Sequence, residues 1–185
     1  MLFRAPAGTL TGDAVFDRTR DMFNGRIRLS VDDLRPLAGL AGRPLEGAVT
    51  LDATAQQQTA DRIAVRIDGS ISRLRSGVPA IDALGGEAIA ITGSGKRDPA
   101  GVLEIDRLTL TGAGTSLEAS GHFDPATRQL GATLDADIRQ LQPLGVALGA
   151  ALTGRLTARI SAEGPIDHAS LHGQIDGAED RKSVV

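Results

Sequence analysis

The sequence predicts an all-β chain built as an elongated antiparallel sheet with one apolar face and short helical connectors. Three observations carry that expectation. Apolar residues alternate with polar ones at period two along most of the chain, glycine or proline marks the breaks, and a block of pattern recurs 107 residues further on.

Gly8-Thr9-Leu10-Thr11-Gly12 is strand material, and Arg26-Ile27-Arg28-Leu29-Ser30-Val31-Asp32 places an apolar residue at every second position. That spacing puts Ile27, Leu29 and Val31 on one face of a strand. Residues 32–40 take a helical spacing, which Pro36 limits to one or two turns. Val49, Leu51, Ala53 and Ala55 alternate next, followed by Ile63, Val65 and Ile67. Residues 78–84 form a second short helical piece opened by Pro79, and Lys96-Arg97-Asp98-Pro99-Ala100-Gly101 reads as a turn. Between Leu103/Ile105 and Leu108/Leu110 the alternation changes parity, the mark of a bulge or twist within one strand. Gly112-Ala113-Gly114-Thr115-Ser116 is a hairpin turn. Leu117, Ala119, Gly121 and Phe123 make the next strand, and Asp124-Pro125-Ala126-Thr127 ends it. Ala132, Leu134, Ala136 and Ile138 then alternate with Thr133, Asp135, Asp137 and Arg139. A third helical piece over 138–148 is interrupted by Pro143; Leu156, Ala158, Ile160 and Ala162 resume the alternation, and 166–172 continue it. About ten strands result.

Composition narrows the function. The 185 residues carry 20 Lys and Arg against 23 Asp and Glu, a formal net charge of −3, so nucleic acid finds no basic footprint. With 2% aromatic residues there is also little on which a base or a sugar ring stacks. At 41% hydrophobic and 23% charged, the chain has enough apolar surface to fold. The absence of cysteine excludes disulfides, zinc ribbons and thiol nucleophiles and leaves the redox compartment open. No run approaches the ~20 apolar residues of a spanning helix, and the first six residues lack the apolar stretch of a signal peptide.

Residues 10–55 align without a gap on 117–162, matching Leu10 with Leu117, Phe16 with Phe123, Leu34 with Leu141, Pro36 with Pro143, Gly42 with Gly149 and Gly47 with Gly154. The shared unit is strand, turn, strand, a Leu-x-Pro-Leu connector, then Gly-x-x-Leu-x-Gly opening another strand. Such a repeat predicts an open array in which each unit buries its apolar face on its neighbours. Residues 1–178 are therefore expected to form one repeat region whose earlier part lies outside the chain. Residues 179–185 are expected to be a non-native tail, because Asp180-Arg181-Lys182-Ser183-Val184-Val185 resembles the translation of a sequencing adapter.

Few residues suggest chemistry. His168 and His172 share a His-x-x-x-His spacing, but it falls on alternating sequence, and His122 stands apart. Gly93-Ser94-Gly95-Lys96 lacks the order of a phosphate loop and no long helix follows it. No enzyme activity, metal or cofactor is expected. The charged residues, such as Arg26, Arg28, Asp135, Asp137 and Arg159, read as a solvated outer face. The apolar face has two readings. It is either the dry core of a sandwich or solenoid, or a wall lined with small residues that leaves space between opposed sides. The candidate lining residues are Ile27, Leu29, Val31, Leu51, Ala53, Leu134, Ala136, Ile138, Leu156, Ala158 and Ile160.

The segment from Leu34-Arg35-Pro36-Leu37 through Leu45-Glu46-Gly47 to Ala53, its partner from Leu141-Gln142-Pro143-Leu144 to Ala158, and Ile81-Asp82-Ala83-Leu84-Gly85-Gly86-Glu87 resemble the repeat region of the TamB family. Those are inner-membrane-anchored, periplasm-spanning components of the bacterial translocation and assembly module, related to AsmA-like proteins. The resemblance covers about residues 8–178 and rests on a Leu/Gly/Asp rhythm. It implies a sheet curled lengthwise into a hydrophobic groove, a β-taco, that carries phospholipid acyl chains between the membranes and supports outer-membrane biogenesis. It further implies a BamA-type, TamA-like partner in the outer membrane and an N-terminal membrane anchor, both expected to be met through segments outside this chain. Two other functions compete with the lipid conduit. One is a scaffold that assembles outer-membrane proteins by strand addition, and the other is a structural or adhesive β-solenoid with a filled core.

Overall fold

The computed structural model describes residues 2–5, 8–17, 22–59 and 62–178; the tail expected at 179–185 lies outside them. Its strands are β1 (Leu2–Ala5), β2 (Gly8–Asp17), β3 (Met22–Val31), β4 (Glu46–Thr59), β5 (Arg62–Arg75), β6 (Ala88–Arg97), β7 (Leu103–Gly112), β8 (Thr115–Asp124), β9 (Gln129–Ile138), β10 (Arg155–Pro165) and β11 (Ser170–Ala178). All eleven belong to one antiparallel sheet in the order β1 to β11. Each strand pairs with its sequence neighbours, and the sheet does not close: β1 and β11 are its two edges. Ten steps at ~4.8 Å give an array roughly 48 Å long.

Turn chemistry explains why neighbours pair. Ala113 and Gly114 link β7 to β8, and Gly114 takes a φ of 75°, which a side chain resists. After β8 the Asp124 carboxylate accepts hydrogen bonds from the backbone N–H of Ala126 at 2.8 Å and the hydroxyl of Thr127 at 2.7 Å, closing an Asx turn. The parity change in β7 is a β-bulge. Ser94 faces Arg107 while Gly95 faces Ile105, so Asp106 is the extra residue. The bulge returns Ile105 and Leu108 to the same face, and Lys96 Nζ holds the extra residue's carboxylate at 3.2 Å.

The helical pieces connect strands at one end of the sheet, here the connector end. A 3-10 turn (Arg35–Leu37) and α1 (Ala38–Ala41) follow β3, α2 (Pro79–Gly85) follows β5, and α3 (Gln142–Leu148) follows β9. The 3-10 turn, α2 and α3 each carry proline in the first turn, where the missing N–H is no loss. Ile138 is the last residue of β9, so the third helical piece starts at Gln142 rather than at the expected 138. Similarly, β6 runs through Arg97, so its turn begins later than expected, and His168 sits in the β10–β11 turn rather than on a strand.

The 107-residue offset is carried by the backbone. Shifted by it, Gly8–Asp17 and Met22–Val31 become Thr115–Asp124 and Gln129–Ile138, the bounds of β8 and β9. Gly42 and Gly149 end the two connectors with φ of 65° and 67°. Leu34 N–H donates to the Gly47 carbonyl at 2.9 Å, and Leu141 N–H donates to that of Gly154 at 3.0 Å.

Among the described residues the buried apolar ones are Val31, Leu34, Ile138 and Leu141, two repeat-related pairs at the connector end. There the connectors cover the apolar face: α2 and α3 pack on each other, and a Cβ added at Gly85 would stand 3.0 Å from Ile89 Cδ1. Entry to α2 is fixed by Ser76, whose backbone N–H and hydroxyl both donate to Asp82 Oδ1, at 2.6 and 2.8 Å. Desolvation works to raise the Asp82 pKa, but the hydrogen bonds from Ser76 and the nearby Arg75 prevail and hold it below the usual carboxylate value. A carboxyl whose pKa is depressed by folding stabilises above its unfolded value, about 3.9, and loses that contribution as pH falls through the folded one. Asp82→Asn is therefore expected to lower the thermal midpoint at pH 7, with the gap to the native chain narrowing as pH falls below about 4. A gap that stays constant across that range counts against it.

Candidate functional site

In an antiparallel pair, residues directly opposite each other share a face, so the register assigns every strand position. One row runs Ile27, Ala53, Ile67, Gly93, Leu108, Ala119, Leu134 and Ile160 from β3 to β10. The next row towards the connector end runs Leu29, Leu51, Gly69, Ile91, Leu110, Leu117, Ala136 and Ala158. All eleven candidate lining residues fall on this one face. They do not share one environment. Val31 and Ile138 are buried at the connector end, with Leu156 opposite Ile138, whereas Ile27, Leu134 and Ile160 stand 54%, 37% and 42% exposed.

No second sheet covers this face among the described residues. Residues of β5 to β10, among them Val65, Ile105, Phe123, Leu134 and Ile160, line one depression of about 700 Å³ on it. Glycine shapes its floor by making room for neighbours. A Cβ added at Gly93 would stand 3.2 Å from Leu108 Cδ1, and one at Gly69, on the same face, 2.9 Å from Leu51 Cδ1, so the leucines lean over the bare backbone. An aliphatic surface of this kind removes apolar area from water without offering a directional hydrogen bond, at about 25 cal/mol per Å².

The opposite face is a lattice of paired charges. Arg26 and Arg28 both reach Asp52, at 2.9 and 3.0 Å, while Arg155 holds Asp137 at 2.8 Å and Arg159 holds Asp135 at 2.6 Å. The Arg28 hydrogen bond, aided by Arg26, holds the Asp52 carboxyl below its ordinary pKa, and Asp135 raises that of Arg159. A smaller depression of about 450 Å³ lies on this side, but its carboxylates are already engaged by arginine or, for Asp176, by Gln174. Solvated pairs of this kind keep the face wet and contribute little each to stability.

Three placements matter for chemistry. His122 lies on the polar face opposite Glu104, and the described residues hold no cluster of three potential metal ligands. Ser94 and Lys96 of the glycine-rich segment are on the polar side of β6, with Lys96 paired to Glu104 and Asp106. Sequence reasoning misses Arg97, because Lys96 to Gly101 reads as a turn. Because β6 continues through it, Arg97 pairs with Ile63 and Leu103 and lies on the apolar face. Counting onward by two from Ile89, Ile91, Gly93 and Gly95 arrives at it.

Compared with known proteins, the chain matches no family model, no curated protein and no solved structure.

Proposed function

We propose that this chain is part of a lipid conduit of the TamB type, whose apolar face forms a groove that shields phospholipid acyl chains from water in the periplasm, without catalysis. The single observation that supports the reading most is the open apolar face: side chains from β5 to β10 surround an aliphatic depression, and no layer of the described residues covers it. A water-exposed aliphatic surface of this extent is what an acyl chain gains from, at about 0.8 kcal/mol per buried CH₂. Selection among lipids by the aliphatic walls is correspondingly loose. The BamA-type partner, the membrane anchor and the role in outer-membrane biogenesis enter this proposal through the resemblance alone.

Strand addition to nascent outer-membrane proteins is the competing reading, and it would use an unpaired sheet edge instead of the apolar face. A filled solenoid is the weaker reading, since the burial it needs is confined to the connector end. Photo-crosslinking from position 134 in cells, followed by mass spectrometry, tests the proposal. Recovery of phospholipid is expected; protein segments without phospholipid would overturn the conduit and support the scaffold.

A further inference from the structure

In the paired rows that run from the Val49–Ile71–Ile89 level to the turn end of the sheet, opposite the connectors, Arg97 is the one charged side chain on the apolar face among the described residues. It borders the 700 Å³ depression. Its guanidinium leans over its own turn: a Cβ added at Gly101 would stand 3.7 Å from Arg97 Nη2 and equally far from Pro125 Cγ. No described carboxylate pairs with it, although neighbouring Lys96 holds Glu104 and Asp106, and Arg128 at the same end holds Asp167. The depression is thus flanked by an apolar, connector-covered end and by a rim that carries an unneutralised cation.

We infer that Arg97 is the phosphate anchor of this depression, and that a glycerophospholipid lies with an acyl chain along the strands and its phosphate diester against the Arg97 guanidinium. The inference rests on the acyl-chain reading above and adds the polarity of the ligand. An arginine fork matches phosphate oxygens with two parallel, charge-assisted hydrogen bonds, and a cation beside an aliphatic wall recognises a molecule with an anionic head and an apolar tail. The lengths agree. From the Arg97 row to the Gly93 row the strand advances about 13 Å, close to the ~15 Å that an acyl chain occupies in half of a ~30 Å hydrocarbon core.

The test measures displacement of a pyrene-labelled fatty alcohol from the purified chain by lysophosphatidylglycerol and by the monoacylglycerol with the same acyl chain. Arg97→Gln is expected to weaken displacement by the phospholipid about tenfold and to leave displacement by the neutral lipid unchanged, with Arg97→Lys in between. Because Arg97 is exposed, both variants should keep the circular dichroism spectrum of the native chain. Equal loss for both lipids, or no loss for the phospholipid, overturns the anchor while leaving the acyl-chain reading intact. Failure of the native chain to bind the labelled alcohol, or of either lipid to displace it, overturns that reading itself.

Discussion

Leu134→Arg is expected to abolish lipid capture while the sheet stays folded. Leu134 sits on the row between Ala119 and Ile160, inside the depression and 37% exposed. Without lipid, an arginine there extends its stem along the aliphatic surface and its charge into water, so the change should destabilise the fold by no more than about 1 kcal/mol. An acyl chain laid over the same place must either desolvate that charge or give up its contacts with β8–β10, and desolvating an unpaired ion is the dearer of the two. Binding of an apolar probe should fall at least tenfold, and lipid crosslinks from a neighbouring position such as 160 should vanish, with the thermal midpoint little changed. Unfolding of this variant would instead indicate that position 134 faces a filled core. Leu156→Arg answers the question less cleanly, because Leu156 lies opposite the buried Ile138 and mixes stability with binding.

Leu141→Ala, like its repeat-related counterpart Leu34→Ala, should produce a large loss of stability, about 2–4 kcal/mol by the usual cost of removing a buried leucine side chain. Leu141 is 9% exposed, and its backbone N–H fixes the start of α3 to the Gly154 carbonyl. Elsewhere the sheet exposes much of its apolar surface, so few side chains have as much contact to lose. The loss should also be local. In an array stabilised by nearest neighbours, hydrogen exchange should accelerate across β9, α3 and β10 while β4 and β5 keep their protection. Leu34→Ala, the repeat-related change, should do the converse. Uniform acceleration in both variants would show that the sheet unfolds as one cooperative unit.

Several of these features are legible without coordinates. Alternation at Ala132, Leu134, Ala136 and Ile138 names one face of β9, and the parity change between Ile105 and Leu108 announces a bulge, which strand pairing then places at Asp106. The Leu-x-Pro-Leu motif marks the two repeat-related connectors, and the repeat places β2 and β3 on β8 and β9. Other features are not legible locally. The helical spacing after Ile138 overlaps the last strand residue, so pattern alone starts the helix early. Arg97 follows a lysine and precedes Asp98-Pro99, a composition that reads as a turn, and only pairing with Ile63 and Leu103 puts it on the apolar face.

By itself, then, the sequence determined the strand count to within one, the face to which each alternating residue belongs, and the absence of cysteine chemistry. Those properties follow from the two-residue pleat and from composition, both written within a few residues. The tertiary structure decided that no second sheet of the described residues lies on the apolar face, that Val31 and Ile138 are buried while Leu134 and Ile160 are open, and that one end is covered by connectors. Coverage is a relation between segments distant in the chain: alternation makes a face apolar, and only the path of the rest of the chain fixes what, if anything, lies against it.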